Sequence, residues 1–311
     1  MRNAVVIVGG GMMGSGIGAV IALHGRPVII VDVSQQRAED GVKRGAECIE
    51  ELAHNQLVSR EQAEDALKLL SSREDMQEAF GSAFMVIEAV SENLELKQKL
   101  FQEIDGLLPV DIPILSNTSG LRITDISAKM KHPERAVTAH FWYPAHLVPL
   151  VEVVMGEKSS EQTAVSVKEE IRSWGKKPVL VKKDLPGQLA NRILQAVIRE
   201  AVHIVEMGLA DPEDVDTAVK AGMGIRFPVW GPLEHIDAVG LDLCANVQDT
   251  VLPELCSAPE AGPLMKRLVK EGNLGYKTGK GIYDWSKKDM KALEKNRNDF
   301  IIYALKKGLD R

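Results

Sequence analysis

Apolar residues fall into two rhythms along this chain. Near the start, Ala4–Val8 and Pro27–Val31 are short continuous apolar runs, the mark of strands covered on both faces, with a helix-length stretch of small residues between them. From about residue 35 to 80 the spacing turns helical. Val42, Ala46, Ile49 and Ala53 form one stripe, and Ala63, Ala66, Leu67 and Leu70 form another. Asn55 and Ser59 separate the stripes, and Ser59-x-x-Gln62 reads as a capping box, so an inserted helical hairpin is expected here. Strands resume at Phe84–Ala89, Pro113–Leu115 and Ala136–Ala139, separated by helices around Leu94–Asp105 and Ile123–Met130. Leu150–Met155 and Pro178–Val181 read as two more strands, flanking a helix at Glu161–Trp174.

Beyond Pro186 the strand pattern stops, apart from one short candidate at Gly281–Trp285. Leu189–Met207 is an amphipathic helix closed by Gly208. Asp211-Pro212-Glu213-Asp214 supplies an N-cap, a proline at the first helical position and early acids for the next helix. The boundary is placed at Asp184-Leu-Pro-Gly187, giving an α/β domain over 1–184 and an all-helical domain over 185–311. That arrangement implies a cleft whose polar groups sit just after the strands. No internal repeat or low-complexity segment is present.

The first strand runs into Gly9-x-Gly11-x-x-Gly14, then a helix, then a strand ending in Asp32. Each part suits a dinucleotide. Gly9 permits a tight turn, Gly11 lets the backbone approach a pyrophosphate, and Gly14, helped by Gly18, lets the helix pack close to the sheet. Met12 and Met13 complete the loop, whose helix N-terminus presents N–H groups to phosphate. Asp32 is placed to accept hydrogen bonds from the adenosine ribose. No arginine follows at 33 or 34 to meet a 2′-phosphate, Arg37 being the nearest, so NAD is expected rather than NADP. The fold class that follows is α/β, a Rossmann-type doubly wound sheet with an inserted hairpin and an all-helical C-terminal domain.

Composition narrows the function classes. The chain has 311 residues, 45% hydrophobic and 26% charged, which is ordinary for a soluble globular protein of two domains. A net charge of −6 argues against nucleic acid as a partner. Three scattered cysteines, Cys48, Cys244 and Cys256, suit neither a disulfide framework nor a metal site. A first strand beginning by residue 4 is expected to leave no room for a leader, and no apolar run nears the ~20 residues of a membrane span. A cytoplasmic protein acting on a small molecule is the expectation.

Two places could carry chemistry. Ser116-Asn117-Thr118-Ser119-Gly120 puts hydroxyls directly after a strand, and Ala136–Ala139 runs into His140. Of the seven histidines, His146, His203 and His235 are expected to be structural or superficial. His140 has a better partner, because Leu150-Val-Glu152-Val-Val154 plants a carboxylate within an apolar strand. A buried carboxylate must find a cation or a donor. Paired with it, an imidazole is held in one tautomer and suits general acid–base work.

In order along the chain stand the glycine fingerprint, Glu88-Ala-Val-Ser-Glu92-Asn-Leu-x-x-Lys97, Ser116-Asn-Thr-Ser119 and Ala139-His140-Phe. Leu150-Val-Glu152-Val, Asp184-x-Pro-Gly-x-x-x-Asn191-Arg192 and Gly275-Tyr-Lys277-Thr-Gly-Lys-Gly281-Ile-Tyr283 follow. Over nearly its whole length the sequence resembles the L-3-hydroxyacyl-CoA dehydrogenase family. The resemblance implies His140 as general base, Glu152 as its orienting carboxylate, and Ser119 and Asn191 as partners of the substrate oxygens. It implies that Glu92, Lys97 and Lys277 contact the nicotinamide half of NAD, and that the helical domain dimerises. The reaction implied is hydride transfer from C3 of an L-3-hydroxyacyl-CoA to NAD.

Several positions depart from the family pattern. Where members usually read His-Phe-Phe-Asn-Pro, this chain has His140-Phe-Trp142-Tyr143-Pro144, and Gly120 replaces a serine. The serine and lysine that contact CoA in family members correspond to Cys48 and Asn55, among Glu47, Glu50 and Glu51. Lys43 or Arg44 offers CoA phosphates an alternative. Leu147-Val-Pro149, Gly224-Ile-Arg226 and Gly231-Pro232-Leu-Glu234 look closer to relatives acting on free hydroxy acids, such as gulonate or carnitine dehydrogenases. In that case Arg226 would meet a substrate carboxylate. A dehydrogenase of the 6-phosphogluconate type is disfavoured, since Pro186–Asn191 lacks its lysine. A catalytically inactive, crystallin-like NAD-binding protein is a further alternative, kept open by Tyr143.

Overall fold

A strand covered on both faces sends alternate side chains into two cores. β1 (Ala4–Val8) is buried along its whole length, with Val5 and Ile7 in one core and Val6 and Val8 in the other. The computed structural model describes residues 2–308. It adds β2 (Val28–Val31), β3 (Leu70–Arg73), β4 (Ala83–Glu88), β5 (Ile114–Ser116), β6 (Ala136–Phe141), β7 (Leu150–Met155) and β8 (Lys177–Val181). Their spatial order is β3-β2-β1-β4-β5-β6-β7-β8. Every neighbouring pair is parallel except β6 and β7. The order reverses between β1 and β4, the topological switch point beyond which open α/β sheets bind ligands.

Seven helices pack on the sheet: α1 (Met12–Leu23), α2 (Gln35–His54), α3 (Arg60–Leu67), α4 (Met76–Phe80), α5 (Leu94–Leu107), α6 (Ile123–Ile126) and α7 (Glu161–Ser173). α1, α2, α3 and α7 cover the first core, and α4, α5 and α6 the second, so the sheet is wound on both faces. α2 and α3 form the expected hairpin. The capping box is present, with Gln62 N–H donating to Ser59 Oγ and Ser59 N–H to Gln62 Oε1.

One element inside the expected hairpin is different. Leu70, read as part of a helical stripe, starts the edge strand β3, in register with β2 from Val28↔Leu70 to Val31↔Arg73. Only Leu70 of its four residues is buried, so the Leu-Ser-Ser-Arg run carries no apolar signal of its own. It is held by tertiary pairing, including a bond from Ser71 Oγ to the Val28 carbonyl.

The chain divides into two units, Met1–Leu189 and Ala190–Arg311. Helices α8 (Leu189–Glu206), α9 (Pro212–Ala218), α10 (Pro232–Val239), α11 (Leu241–Val251), α12 (Pro263–Lys270) and α13 (Met290–Lys307) make up the second stretch. Gly208, at φ +70°, ends the α8 turn as expected. The strand expected at Gly281–Trp285 does not form. Isolated bridges Gly275↔Lys280 and Lys280↔Asp284 occur instead, at a turn where Gly275 and Gly279 both have positive φ. No described helix is long and apolar enough to cross a membrane.

The loop between β6 and β7 is held from within. Lys176, just before β8, donates from Nζ to the carbonyls of Ala145 at 2.6 Å and Val148 at 2.8 Å. Burial pushes its ammonium down to about 7 from an ordinary 10.5. Between those values the unfolded chain binds one more proton than the folded chain, so the destabilising contribution of this group fades as pH rises. Thermal stability should therefore climb from pH 7 to 10 by up to about 1.4 kcal/mol per pH unit from this residue alone. Lys176→Met should flatten that part of the curve, as read from Tm against pH.

Candidate active site

The glycine loop follows β1 at the switch point. Gly9 has φ +108°, and a Cβ there would sit 2.6 Å from the Ala89 carbonyl oxygen. A Cβ on Gly14 would lie 2.0 Å from the Gly9 carbonyl oxygen. Gly11 is different: a Cβ there meets no protein atom within 4 Å, so its lack of a side chain matters to something approaching the loop. α1 has no acidic residue in its first turn to oppose an anion. Met12 is exposed at the loop, while Met13 packs partly against the first core.

Asp32, directly after β2, ties the loop down. Its Oδ2 accepts from the Gly10 N–H at 2.9 Å and its Oδ1 from the Val33 N–H at 2.8 Å. The exposed Arg37 lies 3.4 Å from the same carboxylate. The loop, the helix N-terminus and this carboxylate fit the pyrophosphate and ribose of a dinucleotide.

Across the switch point, β4 ends in Glu88, fully buried. Its carboxylate receives Lys97 Nζ at 2.6 Å, Ser116 Oγ at 2.6 Å and the Val90 N–H at 2.7 Å. Lys97, on α5, is 1% exposed and also lies 3.4 Å from Glu92. Glu92 in turn accepts from Thr118 Oγ1 at 2.6 Å and from the N–H groups of Ser119 and Gly120 at 3.2 and 3.0 Å. Partial burial pushes the Glu92 carboxyl up, but the Thr118 bond, the Lys97 charge and the Gly120 N–H outweigh it, so the group lies below its ordinary value. Glu88 had no role in the sequence reading. The argument that singled out Glu152, a carboxylate among apolar strand residues, extends to it, since Glu88 closes the apolar run of β4.

β6 and β7 pair antiparallel with His140 directly opposite Glu152. Cross-strand partners share a face, so the two side chains meet, with Nδ1 to Oε2 at 2.8 Å. The imidazole is 10% exposed and the carboxylate 0%. Trp142 Nε1–H donates to the same Oε2 at 3.0 Å. The Asn117 side chain accepts from the Phe141 N–H at 2.8 Å, bracing the end of β6 against the loop after β5. Ser119 stands exposed in that loop, beyond the strand adjacent to the one carrying His140. Tyr143 is exposed at the start of the β6–β7 loop.

The remaining expected residues belong to the second unit. Asn191 is in the first turn of α8, Lys277 in the short 3-10 turn Tyr276–Thr278, and exposed Arg226 after the turn Val219–Gly224. Among the described residues no group of three or more His, Cys, Asp or Glu side chains could hold a metal ion.

Residues 4–185 match the 3-hydroxyacyl-CoA dehydrogenase NAD binding domain, and residues 187–285 match the C-terminal domain of the same enzymes. The chain belongs to the 3-hydroxyacyl-CoA dehydrogenase family. It is 35% identical over 306 residues to 5-formyl-3-hydroxy-2-methylpyridine 4-carboxylate 5-dehydrogenase of Mesorhizobium japonicum, covering 96% of this chain and 95% of that one. A probable 3-hydroxybutyryl-CoA dehydrogenase of Bacillus subtilis is 35% identical over 285 residues, covering 91% and 98%. Among solved structures, a 5-formyl-3-hydroxy-2-methylpyridine 4-carboxylic acid 5-dehydrogenase, an NAD+-dependent dismutase, superposes with a TM-score of 0.88 at 34% identity, over 100% of this chain and 99% of that one. As a member of this family, the protein is an NAD-dependent oxidoreductase acting on CH–OH groups of a small molecule.

The loop geometry makes a direct prediction about NAD. A methyl at Gly14 would press on a backbone oxygen that no side-chain motion can relieve. Gly14→Ala should weaken NAD binding by about tenfold to a hundredfold, the cost of misplacing charged hydrogen bonds, as measured by calorimetric titration.

Proposed function

We propose that the substrate is a small free carboxylic acid bearing the reacting hydroxyl or carbonyl, rather than a CoA thioester. The observation that carries this reading is the state of the hairpin positions where CoA is held in the family. Cys48 is partly buried, and burial together with Glu51 and Glu47 pushes its thiol up to about 11, so it stays a neutral thiol, a weaker donor than the serine hydroxyl it replaces. Asn55 donates its side-chain amide to the Glu51 carbonyl at 2.9 Å, within its own helix end. The similarity to a pyridine carboxylate dehydrogenase over 96% of the chain supports the same reading.

In this function His140 accepts the hydroxyl proton at Nε2 while Nδ1–H is held by Glu152. NAD, when bound, takes the hydride. Ser119 and Asn191 bond the substrate oxygens, and Arg226 meets the carboxylate in the two-point geometry a guanidinium allows. Asp32 would hold the adenosine ribose and Glu92 and Lys277 the nicotinamide half, while Lys97, 1% exposed and bonded to Glu88, would act through Glu92 rather than by direct contact. The second reading is oxidation of an L-3-hydroxyacyl-CoA to the 3-oxoacyl-CoA, which the Bacillus relative favours.

Initial rates separate the two. Free acids (L-gulonate, L-carnitine, hydroxymethyl and formyl pyridine carboxylates) are compared with acetoacetyl-CoA. At least one free acid should exceed the thioester in kcat/KM by about a hundredfold or more. Efficient thioester turnover would instead mean that CoA binds without the usual serine and lysine.

The protein also acts as a homodimer in this reading, built through its helical unit. No residue of α8 to α12 is buried. Ile193, Ile225, Phe227, Val229, Trp230 and Phe300 stand exposed. A soluble chain rarely leaves that much apolar surface to water. Sedimentation equilibrium should give twice the 34.1 kDa of one chain.

A further inference from the structure

Glu152 holds two donors on one oxygen. His140 Nδ1 lies 2.8 Å and Trp142 Nε1 3.0 Å from Oε2. An indole nitrogen donates and never accepts, so its bond has one direction. An oxygen that already accepts from the indole is a poor place for a proton, which leaves the shared proton on Nδ1 and the lone pair on Nε2. The indole also lies against the imidazole, ring centroids 5.6 Å apart at 53°, and limits how far that ring can swing. The contact depends on a residue where this chain departs from the family pattern, since phenylalanine at 142 has no N–H to give.

We propose that Trp142 is a positioning residue for the proton-accepting histidine: by sharing Glu152 Oε2 with His140 it limits the swing of the imidazole and tempers the carboxylate's hold on the imidazolium. The proposal rests on the reading of His140 as the base. It differs from a packing role in its consequence. Without the indole donor, the ionised carboxylate is less satisfied when the histidine is neutral and pulls harder on a proton shared with it. Protonation of the pair then becomes easier, whichever partner is credited with the proton. The indole contacts the titratable groups His140 and Glu152.

The test is Trp142→Phe, which keeps an aromatic ring and deletes the donor. The His140 imidazole is followed by ¹³C and ¹⁵N NMR in the NAD-free protein, its signals assigned with His140→Gln. Its titration midpoint should move up by about half to one pH unit. The acid limb of the turnover profile should move the same way, lowering kcat about two- to tenfold below the midpoint while KM for NAD stays unchanged. Glu152→Gln is the comparator and should move the midpoint down. If Glu152→Gln moves it and Trp142→Phe does not, the proposal is overturned and the pair stands. If neither moves it, both the proposal and the base reading fall. Should phenylalanine destabilise the loop, β-benzothienylalanine at 142 keeps the indole shape, replaces N–H by sulfur, and must give the same upward shift.

Discussion

A carboxylate sealed from water has to be met by donors or cations, and two such groups organise the first unit. Glu88 gathers Lys97, Ser116 and a backbone N–H. Glu152 gathers His140 and Trp142. Leaving either unmatched would cost several kcal/mol, so each compels the elements around it to arrive in register. The Glu88 group locks α5 and the loop after β5 to the end of β4. The Glu152 group depends on the one antiparallel step in the sheet, since only there do residues twelve apart in sequence face each other directly. The nucleotide loop on one side and the histidine on the other are thereby fixed to a shared rigid edge.

Much of this was legible in the chain because its causes are local. The Gly9–Gly14 fingerprint, the Ser59/Gln62 capping box and the apolar runs of β1 and β7 each follow from a few neighbouring residues. The partner of Glu152 was legible for a different reason: an apolar strand leaves a carboxylate few choices, and His140 stood at the end of the preceding strand. What escaped was set at long range. Leu70–Arg73 is a strand only because β2 lies beside it. The Arg135–Asp105 pair, which links α5 to the start of β6, is buried and shows no periodic signature at all. Trp142 reads as one more aromatic until its nitrogen is seen to reach across the loop.

The hairpin departs most from the family in chemistry while keeping its shape. α2 still packs on α1, with Gly41 and Gly45 allowing close approach: a Cβ on Gly41 would stand 2.9 Å from the Gly10 Cα. Cys48 lies seven residues from Gly41, on the same stripe, and packs partly against the first core, so the helix departs from the family on the very face it packs with.

The coupling reaches beyond the helix. His146, in the β6–β7 loop, lies 2.9 Å from Glu51 of the hairpin, and burial keeps its imidazole below the ordinary value despite that carboxylate, so the contact acts as a hydrogen bond between largely fixed partners. One short bridge therefore joins the helix that carries Cys48 to the loop that carries Trp142. Anyone redesigning the hairpin would be adjusting the β6–β7 loop at the same time. Substitutions near Glu51 and near Trp142 should then combine non-additively, with the order in which they are introduced deciding which intermediates remain active.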